Sequence, residues 1–251
     1  MTWPNRLVLL LVLALPALAV ARQGEAPIHT ISFQHRAPQS WRAAPTRHPV
    51  KPPLIPLPPV RQHSASACGL SCLQSVFAYY GKGDLRGSQL ARRTPGYSYA
   101  AGTLESGMRK MARSLGLKTR TSNQMSLPEL IRHLNQGTPV TVGIQAWVKN
   151  PATVDWRKEN SAGHYVVALG IGDAKGQPIT NPKQARKNDA YVWFMDPSMN
   201  LGQRGYIPLK EFMGRWHFAG ENGKTTRFGM ALSSSEPPAQ ITVTSGVGRI
   251  Y

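Results

Sequence analysis

Apolar residues in the first half of the chain recur with the period of an amphipathic helix. Between residues 68 and 80 they follow the spacing i, i+3, i+4, i+7, at Leu73, Val76, Phe77 and Tyr80. Gly81 comes directly afterwards, and glycine is the residue that most often follows a helix C-terminus. The pattern predicts a helix that begins near Cys68 and ends before Gly81.

The same spacing predicts two further helices. One runs from Thr103, a candidate N-cap, to about Gly116. Its apolar residues are Leu104, Met108, Met111 and Leu115. The other opens on "SLPE", where Ser126 can cap the helix while Glu129 reaches back to complete a capping box, and it ends at Gly137.

Short runs of β-branched and aromatic residues follow these helices. They are "PVTVGIQA" (139–146), "HYVVALGI" (164–171) and "AYVWFM" (190–195). Helices followed by strands, rather than alternating with them, indicate an α+β fold and not a doubly wound sheet. The polar stretches 147–162 and 172–189 are predicted as surface loops. Weaker patterns in "FGMALS" (228–233) and "QITVTS" (240–245) would add edge strands.

The N-terminal segment predicts export. Residues 1–21 combine Arg6, an apolar run and small residues at Ala19 and Ala21, as in a secretory signal peptide cleaved after Ala21. Pro16 interrupts the apolar run, which argues against a permanent membrane-spanning helix. The mature protein is therefore expected in the periplasm or outside the cell.

Composition then divides the rest of the chain into three parts. Residues 22–60 end in "HPVKPPLIPLPPV" and are expected to form an extended linker or pro-segment, because proline prevents a regular helix. A single folded domain is expected over 61–220, and a Ser-, Gly- and Pro-rich C-terminal extension over 221–251.

Positive charge dominates the sequence. It has 30 Lys and Arg residues against 12 Asp and Glu, a formal net charge of +18, and loss of the signal peptide removes only Arg6 and leaves +17. This excess favours anionic partners, of which an anionic envelope surface is one candidate. The basic residues are not interleaved with stacking aromatics, so nucleic-acid binding is not predicted. No G-x-x-x-x-G-K-[ST] motif occurs, so no ATP site is predicted either.

The predicted start of the first helix carries a cysteine. A thiol attacks as its thiolate, and the unpaired N–H groups of a helix N-terminus lower the pKa of a thiol placed there. Cys68 stands at that position, and Gly69 after it would allow close approach of a substrate to the backbone. A buried structural cysteine is the alternative. Cys72, four residues on, is expected to be packed in the core, because helix geometry disfavours a disulfide at this spacing.

A nucleophilic thiol needs an imidazole and a group that orients it. His164 begins the strand "HYVVALGI", and Asp196 ends the next strand in "VWFMDPS". If these strands are neighbours, their ends bring the imidazole and the carboxylate together. The other six of the seven histidines lack such a context and are expected to be exposed or locally hydrogen-bonded.

Gln62 is a further candidate, six residues before Cys68. Its side-chain amide could hold a developing oxyanion, and a solvent-exposed glutamine is an equally good interpretation of the residue alone.

Together these residues resemble a known family. The pattern Q-x5-CG-x2-C-x6-YYG from Gln62 to Gly81, followed by "GHYVVALGI", "FMDPS" and "GYIPLKEFMGRW", is similar to the bacteriocin-processing cysteine peptidases that cleave double-glycine leaders. The resemblance implies a papain-like fold with N-terminal helices packed on an antiparallel sheet. It implies Cys68 as the nucleophile, His164 as the general base, Asp196 as its orienting partner and Gln62 as the oxyanion-hole glutamine.

The resemblance predicts an exported, stand-alone cysteine peptidase that acts on peptide or protein substrates through a Cys68 thioester. Familiar family members are not stand-alone: their peptidase domain precedes the membrane-spanning and ATP-binding parts of an exporter. Their cleavage after Gly-Gly is therefore not carried over to this chain. A cell-wall peptide hydrolase or acyl transferase on the same scaffold, and a non-catalytic peptidase-like binding module, stay open. None of these functions requires a cofactor or a metal.

Overall fold

The protein's fold is taken from a computed structural model that describes residues 49–83, 85–148, 153–187, 189–198, 204–240 and 248–249, the last two and residues 186 and 187 by their backbone alone. These residues belong to one compact unit that spans residues 47–251. The predicted signal peptide, residues 22–48 of the predicted linker and residues 241–245 of the last predicted strand lie outside the described residues.

Six helices and nine strands are formed by the described residues. The helices are α1 (Cys68–Tyr79), α2 (Gly87–Arg93), α3 (Glu105–Ser114), α4 (Leu127–Asn135), α5 (Pro182–Lys187) and α6 (Leu209–Arg215). The strands are β1 (Lys118–Ser122), β2 (Val140–Gln145), β3 (Gly163–Asp173), β4 (Ala190–Met195), β5 (Arg204–Pro208), β6 (Phe218–Ala219), β7 (Thr225–Thr226), β8 (Gly229–Ser233) and β9 (Gly248–Arg249). None of these helices has the length and apolar character needed to cross a membrane.

The main sheet has the strand order β1-β8-β2-β3-β4-β5-β9 across the described residues. Its strand pairs are antiparallel except for the short parallel pair β5–β9 at one edge. Strands β6 and β7 form a separate antiparallel pair. Helices α1, α4 and α6 pack against β3, β4 and β5 through the hydrophobic core. The predicted α+β fold with helices on an antiparallel sheet is confirmed.

The three predicted helices are present, with one difference at a cap. In α4 the capping box is formed, because the Ser126 N–H donates to Glu129 Oε2 at 2.7 Å and the Glu129 N–H donates to Ser126 Oγ at 3.4 Å. The prediction of Thr103 as an N-cap was wrong. Leu104 takes that position in α3 and makes no side-chain cap, while Thr103 lies one residue earlier with its side chain buried.

The predictions for loops and edge strands were less accurate. The stretch 172–189, predicted as a loop, contains the end of β3 and the helix α5. Strand β8, predicted as an edge strand in "FGMALS", is an interior strand that pairs with β1 on one side and β2 on the other. It lies within 221–251, the part assigned from sequence to a C-terminal extension. Its partner β1, "KTRTS", was not predicted, because an exposed polar edge strand has no apolar alternation.

The described end of the Pro-rich segment packs on the sheet. Residues 49–60 form no helix or strand, as predicted for this composition. The N–H of Ile55 donates to Leu169 O at 3.1 Å, and Leu57 is fully buried. Gly170 makes this contact possible, since a Cβ built there would lie 2.8 Å from the side chain of Leu54. The segment is thus an extended cover over β3.

Strand pairing decides where the candidate residues meet. In the antiparallel pair β3–β4, Val167 lies opposite Met195. His164 near the start of β3 and Asp196 directly after β4 therefore fall at the same end of the sheet, as the sequence predicted for neighbouring strands.

Candidate active site

Cys68 occupies the first position of α1. The N-cap, Ala67, offers no side-chain acceptor to the N–H groups of the first turn, so their partial positive charge remains available to the sulfur. Burial raises the pKa of the Cys68 thiol, but the hydrogen bond and charge of His164 and the backbone N–H groups of Tyr165 and Gly69 outweigh it. The net result is a pKa below the ordinary value of 9.0.

His164 is buried between Cys68 and Asp196. Its Nε2 lies 2.8 Å from Asp196 Oδ1, which leaves Nδ1 as the ring nitrogen for the thiol. Burial lowers the pKa of His164, but the charge and hydrogen bond of Asp196, followed by the hydrogen bond and charge of Cys68, raise it to about 10. At neutral pH these directions favour an imidazolium beside a thiolate.

Asp196 is fully buried and is held by three donors on one oxygen. Besides His164, the N–H and the hydroxyl of Ser198 donate to Asp196 Oδ1 at 2.9 and 2.6 Å. Burial raises the pKa of Asp196, but the charge and hydrogen bond of His164 and the two bonds from Ser198 bring it below its usual value. Sequence reasoning missed Ser198, although Ser two residues after an Asp is a frequent local hydrogen-bond pattern.

A backbone hydrogen bond holds Gln62 beside Pro197, the residue after Asp196. Its N–H donates to Pro197 O at 2.8 Å, which ties the loop before α1 to the turn that follows β4. Its side-chain Nε2 donates to Ser64 O at 2.9 Å, within its own loop, and Oε1 is buried without a partner. The role of Gln62 at an oxyanion stays a prediction.

The two cysteines have different surroundings. Both are free and buried, and no disulfide joins them. The Cys72 thiol donates to Tyr165 O at 3.4 Å. Burial, and then the charges of Cys68 and Asp196, raise the pKa of Cys72 well above its ordinary value. Cys72 is therefore a neutral, packed thiol at any pH near neutrality.

Trp147 is a site residue that sequence reasoning missed. Its ring lies edge-on to that of His164, with ring centroids 5.3 Å apart, and the side chain is 46% exposed. Its backbone has φ = 64°, the left-handed region that a bulky residue seldom adopts. The indole shields the imidazole from water, which strengthens the His164–Asp196 interaction. A tryptophan after a strand gives no signal of this role in the sequence.

Gly69 makes a close contact that the sequence did not predict. A Cβ built on Gly69 would lie 2.9 Å from both Cβ and Oγ1 of Thr103, so its missing side chain makes room for Thr103. The glycine fixes how closely the segment before α3 approaches the start of α1.

An open cleft of about 570 Å³ leads to the thiol. Cys68 and His164 line it together with Tyr99, Thr103, Glu105 and Glu221. Among the described residues no group of three His, Cys, Asp or Glu side chains could hold a metal ion. The arrangement can attack a carbonyl with a thiolate and protonate a leaving group from the imidazolium.

Known structures with similar folds include three peptidases. A putative C39-like peptidase from Bacillus anthracis aligns at 17% identity and a TM-score of 0.50, covering 74% of this chain and 99% of its own. The peptidase domain of Streptococcus ComA, a bi-functional ABC transporter, aligns at 18% identity and a TM-score of 0.45, with 71% and 99% coverage. A double glycine motif protease from an AMS/PCAT transporter, in complex with its leader peptide, aligns at 20% identity and a TM-score of 0.43, with 75% and 99% coverage.

No protein of curated function matches the sequence significantly. The model of the Peptidase_C39 like family matches residues 54–223, which include the four candidate residues, β3, β4 and α1. Since this match spans more than half of the chain, the chain belongs to the Peptidase_C39 like family.

Proposed function

We propose that this member of the Peptidase_C39 like family is an active, exported cysteine peptidase. The observation that carries the proposal is the buried series Cys68, His164 and Asp196, in which each group shifts the pKa of the next towards the charged form. A packed structural cysteine lacks neighbours that lower the pKa of its thiol. Cys72 in the same helix is an example, because burial and nearby charges raise its pKa.

The reaction follows from these charges. The Cys68 thiolate attacks the carbonyl carbon of a peptide bond, and the negative charge moves to the carbonyl oxygen near the N-terminus of α1. The imidazolium of His164 then gives its proton to the leaving amine, and the C–N bond breaks to leave a thioester on Cys68. Neutral His164 next takes a proton from water, which attacks the thioester and releases the acid and the thiolate. Asp196 keeps the ring oriented and stabilises its positive charge.

The test compares two cysteines of one helix. Cys68→Ala and His164→Ala should each abolish turnover of a proteome-derived peptide library by the full-length chain, with unchanged circular dichroism. Cys72→Ala removes the other buried thiol of α1 and should keep turnover within about threefold, with a modest loss of stability of about 1 kcal/mol.

A second readout uses a small neutral thiol-alkylating probe. Labelling should occur at Cys68 in preference to Cys72, and His164→Ala should slow it because the thiolate loses its counter-ion. Turnover that survives Cys68→Ala, or equal labelling of both cysteines, would overturn the proposal.

Export is proposed from the sequence of residues 1–21. Expression of the full-length chain followed by N-terminal sequencing should give a mature protein that begins at Arg22 in the periplasmic or secreted fraction. An intact N-terminus in the cytosol would contradict it.

A further inference from the structure

The cleft that holds Cys68 has a charge opposite to that of the whole chain. Glu105 and Glu221 both line it, and among the described residues that line it none is Lys or Arg. The chain as a whole carries +18. The nearby cations Arg109 and Lys224 line a neighbouring cavity, which Glu105 and Glu221 also line. A substrate in the cleft is therefore close to two carboxylates and, among the described lining residues, to no lysine or arginine side chain.

Glu105 has an unused hydrogen-bond acceptor. Its side chain is only 9% exposed, and Oε1 is buried with no hydrogen-bond partner. The carboxylate accepts one hydrogen bond, from the backbone N–H of Glu221. A buried acceptor without a partner is costly, so a donor that arrives with the substrate would gain more here than at the surface.

Thr103 offers a second such acceptor beside it. Its Oγ1 is buried without a partner, and the residue is 6% exposed. Thr103 lines the same cleft and contacts Gly69, the residue after the nucleophile. The two residues with unpartnered oxygens thus both line the cleft that contains Cys68.

Glu221 adds a second negative charge to the cleft and forms an acidic wall with Glu105. It is exposed, and its carboxylate accepts a hydrogen bond from the N–H of Ser106 in the first turn of α3. Burial raises the pKa of Glu105, the charge of Glu221 raises it further, and Arg109 opposes them. The wall therefore retains a like-charge repulsion that a cation would relieve.

The acidic wall and the reactive thiol both lie near Tyr165. The backbone N–H of Tyr165 hydrogen bonds to the Cys68 sulfur. Burial raises the pKa of the Tyr165 hydroxyl, and the charges of Glu105, Cys68 and Glu221 raise it further. Because Cys68, Glu105 and Glu221 line one cleft, a peptide bound with its carbonyl at Cys68 would place a neighbouring side chain near the two carboxylates.

We propose that this cleft selects peptides with a lysine or arginine side chain close to the scissile bond, held by Glu105 and Glu221 with Thr103 as a further acceptor. The inference rests on the proposed peptidase function and names its substrate class. The positive charge of the chain as a whole indicates anionic partners at long range, whereas the cleft recognises a cation at contact distance.

The experiment measures binding and turnover separately. Alanine- and glycine-based octapeptides, each with one lysine at a different position, are compared with norleucine counterparts, which keep the stem and lose the charge. Binding to the full-length Cys68→Ala variant is followed by fluorescence polarisation. At one or more positions lysine should bind about tenfold more tightly than norleucine, and added salt should reduce that difference.

Three carboxylate-to-amide variants are then compared. Glu105→Gln and Glu221→Gln should each lose most of the preference for lysine while binding of the norleucine peptides is unchanged. Glu236→Gln removes an exposed carboxylate that pairs with Lys82, and it should have no effect. If Glu105→Gln does not fold, Glu221→Gln, at an exposed position, still tests the proposal.

The outcomes separate the two proposals. Equal affinity for lysine and norleucine peptides at every position would overturn the acidic subsite, even if the enzyme labels at Cys68 and cleaves peptides. A preference for lysine that depends on Glu105 and Glu221 supports the subsite, even if turnover is absent and the peptidase proposal fails.

Discussion

At the scale of residues, the charges of the site depend on one another. His164 is held as a cation by Asp196 on one side and by Cys68 on the other, and the Cys68 thiolate depends on His164 in return. Such coupled groups titrate as a pair. Trp147 and the buried position of Asp196 keep water away and make the coupling strong.

The pH dependence of turnover follows from these shifts. The thiolate forms as pH rises through the Cys68 pKa, which lies below the ordinary 9.0, and the imidazolium is lost as pH rises through about 10. We expect kcat/KM to be high between these limits and to fall on both sides. Asp196→Asn removes the anion that stabilises the imidazolium, so the alkaline limb should move to lower pH.

The measurement is kcat/KM against pH for the wild type and Asp196→Asn, with the alkylation rate of Cys68 followed in parallel. Because the folded pKa of His164 is raised, its ion pair also stabilises the fold fully below pH 6.5, and this contribution is lost as pH rises through about 10. An alkylation profile that rises only near pH 9, or an alkaline limb that is the same in both proteins, would contradict the coupled pair.

At the scale of elements, helix α1 positions the thiol through close packing. Its residues are buried over most of their length, and Leu70, Leu73 and Phe77 reach the core. The contact between Gly69 and Thr103 sets the spacing between the start of this helix and the wall of the cleft. Because the helix cannot shift without disturbing the core, the position of Cys68 is fixed.

Two helical glycines allow a matched test of this packing. Gly69→Ala would place a methyl group 2.9 Å from Thr103 and should cost about 1–3 kcal/mol of unfolding free energy, with lower kcat/KM because the start of α1 moves. Gly214→Ala, in α6, would place its methyl group 3.4 Å from Trp156 Cβ, an ordinary contact. It should stabilise by about 0.5–1 kcal/mol, because alanine favours the helix.

Urea unfolding monitored by circular dichroism would measure both changes. A Gly69→Ala protein as stable and as active as the wild type would show that Thr103 moves aside freely, and that the glycine does not set the geometry.

At the scale of the whole molecule, the sheet is completed from the C-terminal part of the chain. Strand β8 lies between β1 and β2, and its residues Met230 and Leu232 are fully buried. Without β8, strand β2 would lie at the edge of the sheet. Strand β1, which pairs with β8 and packs against α3, would lose its partner. We expect the end of β2 and β3 that carries His164 to depend on β8 for support, although β8 contributes no candidate catalytic residue.

Truncation tests this dependence. A chain that ends at Gly223, where the family match ends, loses β8, and removal of each buried side chain costs about 2–5 kcal/mol against a typical total stability of about 5–15 kcal/mol. We expect it to be unfolded by circular dichroism and size-exclusion chromatography. A chain that ends at Gln240 keeps β8 and the Ala239–Tyr79 backbone hydrogen bond and should stay folded. A folded Gly223 truncation would show that β8 is dispensable.

The sequence by itself determined the local elements and the chemistry they carry. The spacing of apolar residues specified α1, α3 and α4, and the runs of β-branched and aromatic residues specified β2, β3 and β4. Each of these signals depends only on neighbours within about ten residues. A cysteine at a helix start, a histidine at a strand start and an aspartate at a strand end could therefore be named in advance. The role of Gln62 could be named only from the family pattern.

Only the tertiary structure decided which distant groups meet. The interior position of β8, the shielding of His164 by Trp147 and the contact of Gly69 with Thr103 each depend on residues far apart in the chain. The same holds for the acidic wall, where Glu105 and Glu221 from separate segments line the cleft of a strongly basic chain. Net charge is a sum over the sequence, but the field at a site depends on the few charges that folding places beside it.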